Sequence, residues 1–141
     1  MKLITLFLAT MTSLFVMDMI WLGLIAKSIY AENIGMLLRK SGNEMAPIWW
    51  SVVIVYACIA LGILYFVLPK AQGDYLQAFT GGVLLGLVTY GIYEFTNYSI
   101  LAHWPLKITF IDCIWGMVLC GLSSLYTKSF FLLNQGKNID V

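Results

Sequence analysis

Three carboxylic acids stand inside apolar runs of this chain: Asp18 in "FVMDMIWLG", Glu94 in "YGIYEFTN" and Asp112 in "ITFIDCIWG". A charge within a hydrocarbon layer costs several kcal/mol unless it is paired, hydrated or protonated, so such an acid points to function by default. No Lys or Arg lies deep enough in the same runs to neutralise them. Acids without a basic partner suit a small cation, a protonated amine or exchangeable protons, and burial makes neighbouring acids share charge. Asn97 and His103 lie between the second acid and the third and complete the candidate polar set. His103, beside Trp104 and Pro105, can act as acid or base with Asp112 or Glu94, which opens a second reading: an interfacial enzyme acting on a lipid. HExxH, a serine elbow and a phosphate loop are all missing, so the sequence favours a non-enzymatic role. Under a third reading the acids only fasten helices, and the chain is a structural or accessory membrane subunit. Glu94, near a helix end, can reach interfacial water, and Asp112 can bond Thr109 or the free N–H groups after Pro105. Asp18 has no such outlet and is expected to matter more for activity than for folding.

The elements that must position these acids follow from composition. A chain of 141 residues that is 61% hydrophobic and 11% charged is not an ordinary soluble domain. Four runs can cross a hydrocarbon core of about 30 Å at about 1.5 Å per residue: 3–26, 47–68, 75–98 and 105–126. The fold class expected is all-α, one domain over 1–141, with four transmembrane helices in a compact bundle. A cleavable signal peptide is the rival reading of the start, where Lys2 precedes an apolar run. That run is too long and carries Asp18 and Trp21, so it is taken as the first span. Tyr30, Ile34 and Leu38 recur every four residues and mark a short interfacial helix over about 28–40, with Gly42 as its stop. Pro69 is expected to end the second helix, and Pro105 to open the fourth. After Lys128 the apolar Phe130 to Leu133 should rest on the membrane surface.

Cys58, Cys113 and Cys120 all fall within spans and are expected to be buried small residues, with neither a disulfide framework nor a CxxC motif. The single histidine excludes bis-histidine haem ligation within one chain. No cofactor and no metal are assigned, and no nucleic-acid partner is expected. An even number of spans puts both termini on one side of the membrane. Lys2, Lys70, Lys128 and Lys137 on one face balance Lys27, Arg39, Lys40 and Lys107 on the other, so the positive-inside rule leaves the orientation open.

Depth narrows the picture. Asp18 lies about 22 Å along the first helix and Asp112 about 9 Å into the fourth, while Glu94 is near the end of the third. All three therefore share one leaflet, whichever way the chain is inserted. Gly82, Gly86, Tyr90 and Glu94 follow at four-residue spacing on the third helix, a smooth stripe leading to an acid. Asp112, Gly116, Cys120 and Ser124 make its counterpart on the fourth, and Thr10, Leu14 and Asp18 a less regular one on the first. The glycine stripe serves either internal packing or a homodimer, and a larger membrane partner can supply a cation to an unpaired acid. Trp21 and Trp115 each stand three residues after an Asp, so each indole is expected to line the site and to donate to the acid of its own helix. The second helix carries Trp49 and Trp50 as an aromatic anchor and no acidic or basic residue, which marks it as scaffold.

"FVMDMIWLG", "YFVLPKA", "YGIYEFTN" and "WPLKITFIDCIWG" together resemble the bacterial integral membrane family known as domain of unknown function 2177. The resemblance spans nearly the whole chain. It implies a four-helix protein of the bacterial inner membrane and implies no activity. One departure is Glu94, which stands where Asp is expected and keeps the charge on a longer side chain.

Overall fold

The computed structural model describes residues 3–42 and 44–136. Lys2 and Lys137, counted in the charge balance, lie outside the described residues. Four helices are long and apolar enough to cross a membrane: Leu3–Ile25, Trp49–Ala71, Tyr75–Ile100 and Leu106–Asn134. They are spans 1 to 4 below. Between spans 1 and 2 come a two-turn helix, Lys27–Ile34, and a minimal hairpin of Lys40–Ser41 against Glu44–Met45.

Small residues bring spans 3 and 4 together. A Cβ at Gly86 would stand 2.8 Å from the Met117 Cα, and one at Gly82 would stand 2.9 Å from the Cys120 carbonyl carbon. Those neighbours are backbone, so only glycine permits this approach. The choice makes sense in lipid, where helices gain nothing by hiding apolar surface from water and associate through close packing and polar contacts. The glycine stripe is thus spent inside the bundle. Span 1 meets span 4 through hydroxyls: Thr10 and Thr127 are 3.0 Å apart, and Ser13 donates to Ser123 at 3.3 Å. Leu14, Tyr56, Ile59, Ile63 and Leu119 close the core between spans 1, 2 and 4.

Several boundaries differ from the expectations above. Pro69 does not end span 2, which continues to Ala71 and stops at Gln72 in the left-handed region, φ 37°. A π turn at Ile63–Val67 precedes the proline, and such a turn loosens the backbone ladder where a ring would otherwise strike the preceding carbonyls. The fourth helix runs unbroken to Gly136 instead of ending at Tyr126. Thr127 and Lys128 are buried, and Lys128 reaches the Ala71 carbonyl at 3.5 Å with its ammonium 5.1 Å from the Tyr75 ring centre. The ammonium is thereby a second donor to a carbonyl that already accepts the Asp74 N–H at 2.6 Å, and it lies at the negative end of span 2. The interfacial helix stops at Ile34, just before Gly35, and Gly42 instead serves the hairpin turn at φ 62°. Cys58 is exposed, which corrects its assignment to the core; Cys113 and Cys120 are buried.

Candidate functional site

Each acid is met by aromatic donors. Asp18 accepts the Tyr56 hydroxyl at 2.6 Å on one oxygen and the Trp115 indole at 2.7 Å on the other. Both of its oxygens are therefore satisfied, by groups from spans 2 and 4. Span 2 is thus not mere scaffold, because it supplies the phenol. Asp112 accepts the Tyr30 hydroxyl, and Tyr30 in turn accepts from the Trp21 indole at 3.2 Å. Burial raises the Tyr30 phenol well above its ordinary range, and the adjacent Asp112 adds to the effect.

The two indoles do not serve the acids of their own helices. Trp115, three residues after Asp112, crosses to Asp18; Trp21, three after Asp18, reaches Tyr30. A π turn begins at Trp21 and resets the helical register, turning that side chain toward the interfacial helix. Their rings stack at 4.4 Å with planes 6° apart, so the Asp18 and Asp112 groups are joined through an aromatic bridge.

Glu94 is completely buried. Its Oε2 accepts the Trp104 indole at 2.9 Å from the loop after span 3, while Oε1 is buried without any hydrogen-bond partner. The neighbour of this carboxyl, within hydrogen-bonding reach, is the carboxyl of Asp112. Two acids face each other there, and neither has a donor to offer while ionised. The glycine faces create this encounter: Gly82 and Gly86 meet Cys120 and Gly116, Tyr90 lies over Gly116, and the next position along each stripe is Glu94 and Asp112. Tyr90 also stands within electrostatic reach of Asp18 and Asp112.

Two of the candidate residues take other positions. His103 is exposed on the loop, and no hydrogen bond or ion pair joins it to either acid among the described residues. Asn97 is half-buried beside Tyr93, whose ring meets the Trp104 ring edge-on at 6.1 Å. The acids' real partners, Tyr30, Tyr56 and Trp104, were not assigned from the sequence. Among the described residues no group of three or more His, Cys, Asp and Glu is placed to hold a metal. A cleft of about 370 Å³ opens at the far end of the bundle, among Leu3, Leu64, Leu68 and Lys128, and not at the acids.

Four membrane-spanning helices around a buried polar seam define the chain as a polytopic helical membrane protein. A family model described as predicted membrane protein (DUF2177) matches residues 3–129, and the chain belongs to that family. No curated protein and no solved structure matches it.

Proposed function

We propose that this chain binds an exchangeable small cation at the Glu94–Asp112 pair, as a proton, an alkali cation or a small amine, and that it works in the bacterial inner membrane with both termini on one side. One observation carries the reading: a fully buried carboxyl with an oxygen lacking any donor, set against a second carboxyl. An uncompensated buried charge is expensive, and a bound positive species removes that cost. Glu94 lies near the end of span 3 and Asp112 keeps a small exposed surface, so exchange would run through the Asp112 side of the pair. Movement of the occupant across the membrane, and hence a transporter, extends the same reading.

Asp18 favours the fastening reading for its own position, since donors from two other spans satisfy it fully. The enzyme reading has lost its general acid, because His103 stands apart from the carboxyls. The glycine stripe is consumed between spans 3 and 4, so the site needs no second copy of the chain.

Indole emission offers a test, because Trp104 is bonded to Glu94. Purified protein in lipid nanodiscs should respond saturably to protons, Na+, K+ or methylammonium, and Glu94→Gln should abolish that response while remaining folded. The absence of a saturable response to any of them in the wild type would overturn the reading.

A further inference from the structure

We infer that the occupant of the site is a single proton, shared between the Glu94 and Asp112 carboxyls. This rests on the cation reading above and narrows its ligand.

The groups around the pair decide the matter. From span 4, Asp112 faces Glu94, with Cys113 nearby. The interfacial helix contributes Tyr30, whose hydroxyl donates to Asp112. The loop contributes the Trp104 indole, which donates to Glu94 Oε2. Span 3 adds Tyr93 and Tyr90 within electrostatic reach, and span 1 adds Asp18, whose charge acts on Asp112. Among the described residues none of these elements brings a Lys, Arg or His into an ion pair with either acid. The surroundings thus supply neutral donors and further negative charge, and no fixed cation.

A larger cation fits this setting poorly. Alkali and alkaline-earth ions take about six oxygen ligands, from carboxylates, carbonyls or water. Here two of the local donors, the Tyr30 hydroxyl and the Trp104 N–H, point their hydrogens at the acids and occupy the positions a metal would need. Glu94 has no solvent-exposed surface, so water cannot complete a shell around an ion at Oε1. A proton requires no shell. Placed on one carboxyl, it becomes the O–H donor that the other carboxyl accepts, gives Oε1 its missing partner, and reduces two adjacent charges to one. On binding, one carboxylate takes up H+ from water to form a carboxylic acid; on release the proton returns to water and both carboxylates are ionised.

Infrared difference spectroscopy of the full chain in lipid vesicles reads this state directly. At neutral pH the wild type should show the carbonyl stretch of a protonated carboxyl, shifted by H/D exchange. The band should vanish in Glu94→Gln and in Asp112→Asn and persist in Asp18→Asn. Because either pair variant can fail to fold, the wild type is also titrated alone, and the band should be replaced by carboxylate bands as the pH rises. If no protonated carboxyl is seen while Na+ or methylammonium still gives a saturable indole response, the shared proton is overturned and the cation site stands. A band that survives in Glu94→Gln and Asp112→Asn also overturns it. Absence of both the band and any cation response removes the two together.

Discussion

Replacing Asp18 separates fastening from binding. Its carboxylate accepts from Tyr56 and Trp115 at 2.6 and 2.7 Å, so Asp18→Leu strands a phenol and an indole N–H in the bundle. Polar contacts between membrane helices average about 0.6 kcal/mol and reach about 1.7 kcal/mol, which puts the loss of two at about 1–3 kcal/mol. Asp18→Asn behaves differently. Indole only donates, whereas a phenol both donates and accepts, so the amide oxygen can take Trp115 while its NH2 donates to a rotated Tyr56. Both contacts survive, and the expected stability change is below about 0.5 kcal/mol, within the ordinary range for a substitution that disrupts nothing. The two variants are to be unfolded side by side in mixed micelles, with the proton or cation response of each recorded under native conditions. Asp18→Leu should be destabilised, Asp18→Asn should match the wild type, and Asp18→Asn should keep the response. A folded Asp18→Asn protein that has lost its response would refute the anchoring role and return Asp18 to the binding site.

Other outcomes follow from the same geometry. Gly86→Ala places a methyl against the span 4 backbone and should force spans 3 and 4 apart, lowering thermal stability and separating Glu94 from Asp112. Gly91→Ala, with nothing within 4 Å of the added carbon, should be neutral or gain up to about 1 kcal/mol of helix propensity in the same melt. Tyr30→Phe removes the donor to Asp112 and should cost about 1–3 kcal/mol. Since the folded phenol holds its proton more tightly than the unfolded one, its contribution is complete below about pH 10 and is lost as pH rises further. Wild-type stability should therefore fall more steeply above that pH than Tyr30→Phe stability. Cysteines introduced at Ser41 and Lys70 should be labelled from opposite faces of the membrane; labelling of both from one face contradicts four crossings.

The four spans were readable because length and hydropathy determine them, and four-residue spacing put Gly82 and Gly86 on one stripe, while the choice between span 4 and a second copy as its partner needed the packing itself. The acids' partners were hidden for physical reasons. Tyr56 sits in an apolar run that tolerates a phenol anywhere, and nothing local says that its hydroxyl points at Asp18 on another helix. Tyr30 marked an amphipathic repeat, yet the fold uses it as a donor inserted between spans. Trp115 and Asp112 share a helix, and spacing alone paired them; the crossing to Asp18 depends on how spans 1 and 4 pack. The π turns at Trp21–Ile25 and Ile63–Val67 also left no sequence mark beyond a nearby acid and a proline. Pro69 read as a stop because that preceding turn could not be foreseen.

The central claim concerns one exchangeable proton at Glu94 and Asp112. Potentiometric difference titration of the wild type against the Glu94→Gln, Asp112→Asn double variant, both folded in nanodiscs, measures it most directly. The account predicts that, between pH 5 and 8 where free carboxyls are already ionised, the wild type releases about one proton per chain that the double variant does not. Superimposable curves across that range would contradict it.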